Sequence, residues 1–403
     1  MTDPVAPAER GRGVTFARGF TAGAIAAGVK TGKAERLDVA LIVSDRPCAA
    51  AGVFTTNQVT AAPVVLTRDN VARGSLRAVV VNSGNANACT GDQGDRDAKA
   101  MTIAAASALN VTAEDVGVAS TGVIGVQLPI ARITDAIARI RPSVGGWDDF
   151  SRAIMTTDTK PKVAEREVAI GRGIVRIGGV AKGVGMVHPD MATVLSFLTT
   201  DASISAEDLR RALTAAARDT FNAISVDGDT STNDTLLVLA NGASGIPIEG
   251  SDHARFTGVL TSVCEDLARM IVADGEGATK VFEVTVTGAR SNDDARKAAR
   301  TVTISPLVKT AIHGADPNWG RIMMAVGRSG AAVDARKATV RIGDVVCYEA
   351  GVPRVPDLDA VRRAFAEPSI QIFVDLGLGE GRSRAWGCDL STEYVHINAD
   401  YTT

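Results

Sequence analysis

The 403-residue sequence predicts a mixed fold, α+β or layered α/β. Short runs dense in Val, Ile and Leu alternate with Ala-rich windows of helical period along the whole chain. No short repeat, low-complexity tract or long linker interrupts them. Aromatic residues are sparse at 4% while 40 glycines are present, so small side chains favour closely packed layers and narrow pockets. The length allows two or three domains.

Taken in order, residues 36–44 and 76–82 are expected to be buried strands, dense in branched apolar residues and bounded by turn residues. Residues 95–109 place Ala, Met and Ile on one helical face. A second helix is expected over 128–140, entered through Pro129. Residues 165–177 read as two strands joined at Gly171-Arg172-Gly173. A strand is expected over 193–199. Residues 206–218 follow as a helix, acidic early and basic late, as the helix dipole prefers. Residues 252–273 form the longest amphipathic helix. Strands over 281–287, 339–347 and 369–376 and helices over 293–300 and 357–366 come next, and 393–398 is the last element.

Composition narrows the classes. Apolar residues make up 45% and charged residues 22%, a globular profile, and a net charge of −3 gives no footprint for nucleic acid. The first eighteen residues mix Asp3, Glu9, Arg10, Arg12 and Arg18 without an apolar run, so no signal peptide is expected. No apolar window is long enough to span a bilayer, and a cytoplasmic location is expected. Five cysteines without C-x-x-C spacing suit reduced structural thiols. Four scattered histidines offer no metal cage, and neither metal nor cofactor is expected.

The most informative stretch is Lys182-Gly-Val-Gly-Met-Val-His-Pro-Asp-Met-Ala-Thr193. A cut between Ala192 and Thr193 would place a hydroxyl nucleophile and a free α-amine on one residue. That amine titrates at about 7.7–8.0, so it can take the hydroxyl's proton near neutral pH. Gly183, Gly185 and Pro189 allow the tight turn that an N→O acyl shift needs. The plainer reading is a strand that happens to begin at Thr193. If the cut occurs, the pieces 1–192 and 193–403 must share a large interface, which places the strand after the cut centrally in a sheet.

Other motifs divide between chemistry and plain turns. The Gly178–Gly185 segment invites a nucleotide-loop reading but fails the Walker pattern, as does Gly32-Lys33 followed by Ala34. Ser120-Thr-Gly-Val-Ile-Gly125 is a connection in which the Thr121 hydroxyl and the Gly122 N–H can converge on one oxyanion. Five clusters are rich in Asn, Ser, Thr, Asp and Gly, at residues 82–88, 155–159, 227–234, 275–280 and 316–321. Each is a plausible turn, and together they suggest that some line a polar site. Residues 227–234 lack the closing Glu of a calcium loop.

With these pieces in hand, the sequence resembles the ornithine acetyltransferases of arginine biosynthesis, also called glutamate N-acetyltransferases. The resemblance rests on eight segments in order: Gly52-Val-Phe-Thr-Thr-Asn57, 81–88, 120–125, 155–159, 182–193, 275–280, 316–321 and the terminal 394–403. It implies a layered αββα sandwich, similar to N-terminal-nucleophile hydrolases but differently connected. It also implies self-cleavage before Thr193 and assembly of the two pieces as an α2β2 heterotetramer. Thr193 would carry the acetyl group, Thr121 and Gly122 would form the oxyanion hole, and Thr156, Lys182, Thr193, Glu276, Asn398 and Thr403 would bind substrate. The expected reaction moves acetyl from N-acetylornithine to glutamate by ping-pong kinetics. Some members also take acetyl from acetyl-CoA. Lys182 suits the substrate carboxylate and Glu276 its ammonium. Asp190 stands where a neutral residue such as Asn is more usual in the family. The rival enzyme class is an amidase or aminopeptidase passing the acyl group to water, and a more distant rival is a nucleotide-binding module.

Overall fold

A computed structural model describes residues 11–188, 194–354 and 357–400. Asp190, Ala192, Thr193 and Thr403 lie outside the described residues. Two sheets organise the chain. The first contains β1 (Phe20–Ile25), β2 (Val39–Phe54), β3 (Ser75–Asn85), β4 (Val116–Val123), β5 (Lys162–Ile170), β6 (Gly173–Lys182) and β7 (Leu195–Thr200). After the two-residue β8 (Ile224–Ser225) of the other sheet, β9 (Thr235–Ala240) completes it. Its order is β4-β3-β2-β9-β7-β6-β5, with β1 paired to β2.

The central strands β7 and β9 run parallel, and every residue of both is buried. Their sequences, LSFLTT and TLLVLA, are the near-continuous apolar runs that a strand covered on both faces requires. On one face Leu195 and Phe197 pack with Phe20, Phe150 and Leu239. The Phe150 and Phe197 rings meet edge to face at 5.6 Å. On the other face Leu198 and Val238 meet Leu209 and Leu213 of the helix Ala206–Asp219 and Leu260 and Leu267 of the helix Asp252–Ala273. Six residue pairs join β7 to β6 and six join β9 to β2. The strands on the C-terminal side of the expected cut are thus wedged between strands from its N-terminal side.

The helices of this half are α1 (Ala62–Ala72), α2 (Gly91–Leu109), α3 (Ile130–Ile137), α4 (Trp147–Ala153), α5 (Ala206–Asp219) and α6 (Asp252–Ala273). The second sheet is built from β8, β10 (Val281–Ala289), β11 (Thr339–Ile342), β12 (Val345–Glu349), β13 (Val352–Pro353), β14 (Ser369–Asp375) and β15 (Gly381–Cys388). Their order is β13-β12-β11-β14-β10-β15-β8. The helices α7 (Asn292–Thr303), α8 (Pro306–His313), α9 (Gly320–Gly327) and α10 (Leu358–Ala366) close its core around Val284, Val302, Val326 and Phe365. α6 joins the halves, sharing one core with Trp386 and Cys388 of β15. The last described helix, α11 (Thr392–Asp400), buries no residue.

This is the α+β class expected, with two sheets and helices on both. α6 has the expected bounds, and the hairpin at Gly171-Arg172-Gly173 forms between β5 and β6. Several expectations need correction. The strand expected to end at Ser44 continues to Phe54, because a register shift between Val43 and Cys48 carries Asp45, Arg46 and Pro47 through as an exposed bulge. The strand expected over 339–347 is a hairpin that turns at Gly343, where φ is +54°. Gly178 and Gly179 are paired within β6, between β5 and β7, so they form no phosphate-binding loop. Four cysteines are buried and Cys89 is exposed. Burial pushes the Cys48 thiol up to about 12 and that of Cys347 to about 11, as suits inert structural groups. Among the described residues no helix is long and apolar enough to cross a membrane.

Candidate active site

Thr121, Gly122, Thr156, Lys182, Glu276 and Asn398 all line one cavity of about 550 Å3. Val194 and Leu195, at the entry to β7, line it too. Four of the five polar clusters converge here through Ser83, Thr157, Asn233 and Glu276. The fifth, 316–321, runs from the loop after α8 into the first residues of α9.

Thr121 and Gly122 lie not on the open connection expected but in the last residues of β4, paired with Ser83 and Gly84 of β3, and amide side chains hold this stretch. Asn82 Nδ2 donates to the Asn85 carbonyl at 2.9 Å, and the Ser120 hydroxyl donates to Asn82 Oδ1 at 2.6 Å. Asn233 Nδ2 donates to the carbonyls of Ala86 and Ser120 at 2.6 and 2.9 Å. Asn233 precedes β9, so this pair of bonds ties the strand beside β7 to the end of β4 and to the residue after β3. Gly122 has φ +132°, and a Cβ there would sit 2.3 Å from the Gly84 carbonyl carbon. Only glycine fits.

Lys182 ends β6 and donates to the Thr121 hydroxyl at 3.1 Å. Burial in the cavity wall depresses its pKa, opposed by the nearby carboxylates of Asp158, Asp234 and Glu276. Behind it, Lys162 is 1% exposed and bridges Asp158 and Asp274, both at 2.7 Å. Asp158 also accepts the backbone N–H groups of Thr156 and Gly183 at 3.0 and 2.8 Å. Burial alone would raise the Asp158 carboxyl, but Lys182 and Lys162 outweigh it and hold it below the ordinary carboxylate range. Asp274 receives the Thr159 N–H at 3.1 Å and also its hydroxyl. One buried cation thus fixes the 155–159 loop, the Gly183 turn and the end of α6.

Glu276 lies three residues past the end of α6. Its N–H donates to the Val184 carbonyl at 2.8 Å, and its carboxylate accepts from the Thr157 hydroxyl at 2.8 Å and Asn398 Nδ2 at 2.9 Å. Gly185 permits this approach, since a Cβ there would lie 2.4 Å from Glu276 Oε2. The segment leading to 189–193 is pinned by Asp227, which accepts the N–H groups of Met186 and Val187 at 2.5 and 2.9 Å. Met186 has φ +53°, a strained setting for a residue with a side chain, costing about 1–3 kcal/mol. The chain bends at 184–186, and the rest of the turn expected before the cut lies outside the described residues.

The six site residues named from sequence that can be described thus share one cavity, whereas Thr193 and Thr403 lie outside the described residues. Sequence reading passed over Asn233, Asp234, Asp158, Asp274 and Lys162. The first three sit inside the polar clusters at 155–159 and 227–234. Lys162 and Asp274 carry no local signal, because their partnership spans 112 positions.

With this geometry in view, the chain matches the ArgJ family over residues 21–403. The arginine biosynthesis bifunctional protein ArgJ of Symbiobacterium thermophilum is 52% identical over 396 residues, covering 97% of this chain and 98% of the relative. The protein of the same name from Deinococcus radiodurans is 49% identical, with all of both chains covered. A crystal structure of the Bacillus halodurans arginine biosynthesis bifunctional protein ArgJ is 44% identical with a TM-score of 0.50, matching 51% of this chain and 98% of its own. A family match from residue 21 to the last, and relatives matched over nearly their whole length, mean that this chain belongs to the ArgJ family.

Proposed function

We propose that this chain transfers an acetyl group from N2-acetyl-L-ornithine to L-glutamate, giving L-ornithine and N-acetyl-L-glutamate in arginine biosynthesis. The transfer runs through an acetyl ester on Thr193 after the chain cuts itself between Ala192 and Thr193. The observation that carries this reading is the Lys182–Thr121 hydrogen bond at the rim of β7, within a cavity that also holds Gly122, Thr156, Glu276 and Asn398. An oxyanion donor, an anion-binding cation and a cation-binding carboxylate therefore share a cavity with Val194 and Leu195, which follow Thr193 in sequence.

The roles follow from charge. Lys182 meets the substrate carboxylate and Glu276 the side-chain ammonium of ornithine, with Thr156, Asn398 and Thr403 completing the pocket. Thr193 attacks the acetyl carbonyl, its own α-amine takes the hydroxyl proton, and Thr121 and Gly122 hold the developing oxyanion. Ornithine leaves, and the amine of glutamate attacks the ester. The relatives are named bifunctional, which supports a second activity, acetylation of glutamate from acetyl-CoA.

A cut near the middle is supported by the Bacillus halodurans chain, nearly all of which is matched by about half of this one. The pieces 1–192 and 193–403 would remain paired through β2–β9 and β6–β7, and two such pairs would form the α2β2 assembly, working in the cytoplasm. The test combines intact-mass analysis of the purified protein with a two-substrate assay. Two fragments meeting at Thr193 and parallel ping-pong plots are expected. An active enzyme of one continuous chain, or acetate released from N-acetylornithine with no acceptor present, would overturn the reading in favour of another mechanism or an amidase.

A further inference from the structure

Near their ends β3 and β4 repeat one pattern. Ser83-Gly84 lies opposite Thr121-Gly122 in parallel register, and both glycines have positive φ, +91° and +132°. Each strand thus presents a hydroxyl followed by a glycine, and the glycines let the two backbones close together. Only the Thr121-Gly122 copy has a role in the transfer proposed above.

The Ser83 copy faces the same cavity. Val79 and Val81 of β3 and Ala119 of β4 pack into one core, and side chains alternate along a strand, so Ser83 and Thr121 come next on that face. Both line the cavity. Neighbouring strands lie about 4.7–4.9 Å apart, so hydroxyls at opposed positions can both reach a single oxygen at about 2.7–2.8 Å.

Ser83 is 1% exposed, and its Oγ makes no hydrogen bond with any described residue. The polar groups around it are committed elsewhere. Asp38, whose carbonyl accepts the Ser83 N–H at 2.9 Å, spends its carboxylate on the N–H groups of Ala27 and Val29 at 2.6 and 2.7 Å. Asn82 is occupied by Asn85 and Ser120. The Asn85 side chain accepts the Asn87 N–H at 2.8 Å and donates to the Val126 carbonyl at 3.0 Å. A buried hydroxyl left without a partner costs stability, so this one is built for a partner that the folded chain does not supply.

We propose that Ser83 is a third donor to the oxygen that Thr121 and Gly122 receive, so that an acyl oxygen gaining negative charge meets two hydroxyls and one N–H. This rests on the oxyanion role given to Thr121 above. Lys182 occupies a lone pair of Thr121 and turns its hydrogen toward the cavity, whereas no described residue fixes the Ser83 hydroxyl, which can rotate onto the oxygen as charge develops. An oxyanion gains more from a third donor than a neutral carbonyl does, so the benefit falls on the transition state.

The test compares Ser83→Ala, Ser83→Thr, Thr121→Ala and the double alanine variant in acetyl transfer from N-acetylornithine to glutamate and in thermal unfolding. Rates are taken per cut chain, counted by intact mass. Ser83→Ala should lose about 10²-fold in kcat, the lower end for one such donor because two others remain, with KM little changed. Its melting temperature should hold or rise, since an unpaired buried hydroxyl has gone. Ser83→Thr should restore most of kcat. The double variant should lose less than the product of the single losses, because groups acting on one oxygen are not additive. A normal kcat for Ser83→Ala beside a depressed Thr121→Ala would overturn this donor alone, and a normal kcat for both would take the oxyanion role of Thr121 with it. A fall in kcat with a lowered melting temperature, unrestored by threonine, would make Ser83 structural. Losses that multiply would place the two hydroxyls on separate oxygens and overturn the shared one. Should Ser83→Ala leave no cut chain to assay, Ser83→Thr decides alone, its activity supporting the donor and its inactivity overturning it.

Discussion

Lys182 Nζ donates to the Thr121 hydroxyl at 3.1 Å, joining the end of β6 to the end of β4. Because that hydroxyl accepts from the ammonium, its own hydrogen is left to point into the cavity as a donor. The ammonium also polarises it, which strengthens what it can give to an oxyanion.

Thr121→Ala should therefore lower turnover by about 10²–10³-fold, equivalent to about 2.7–4 kcal/mol, with a much smaller change in KM. Thr121→Ser should restore most of the loss. Steady-state kinetics of both variants check this, and a normal kcat for the alanine variant would remove Thr121 from the oxyanion hole.

Thr193→Ala should remain one uncut chain without acetyl transfer. Intact mass decides the first point and the two-substrate assay the second. Two fragments from this variant would place the nucleophile elsewhere.

Lys162→Met should be costly, since it leaves Asp158 and Asp274 buried without their shared cation. Losing one partner of a buried pair costs about 3–5 kcal/mol. Denaturant unfolding should report a loss of that size. Residual activity should show raised KM, because the loops bearing Thr156 and Glu276 lose their common anchor.

Asp234→Asn should stabilise the protein at neutral pH. The Asp234 carboxyl is raised in the folded state, so folded protein holds a proton that the unfolded chain releases above about 3.9. Stability then falls as pH climbs from there through the raised folded value, and the amide removes that fall. Melting temperatures should diverge with rising pH and converge in acid. Identical curves across the range would mean that the carboxyl is not raised.

Gly185→Ala should push the Glu276 carboxylate away, because the new Cβ would meet its Oε2 at 2.4 Å. A higher KM for N-acetylornithine is the expected reading. An unchanged KM would detach Glu276 from the substrate.

Legibility in the sequence followed periodicity and local chemistry. α6 and the β5–β6 hairpin stand out because each keeps one period from end to end and is punctuated by turn residues. β9 is not legible, because TLLVLA, a short run apolar on both faces, carries no period. β2 was cut short because Asp45-Arg46-Pro47 has turn composition, and only pairing with β3 and β9 carries the strand past it. In the site, Thr121 and Lys182 were readable from their glycine-rich settings. Asp234 and Lys162 were not, since what distinguishes them is the company assembled around them by distant segments.

The order of the first sheet bears on what would follow the proposed cut and pairing of halves. With β9 and β7 clamped between β2 and β6, swapping one half-molecule for another would mean unzipping two edges of a buried ladder at once. Isotopically heavy and light enzyme, matured separately and then mixed, should keep their original halves for as long as they stay folded. Native mass spectrometry should find no hybrid of heavy and light halves within a single pair, even where whole pairs trade places in the larger assembly.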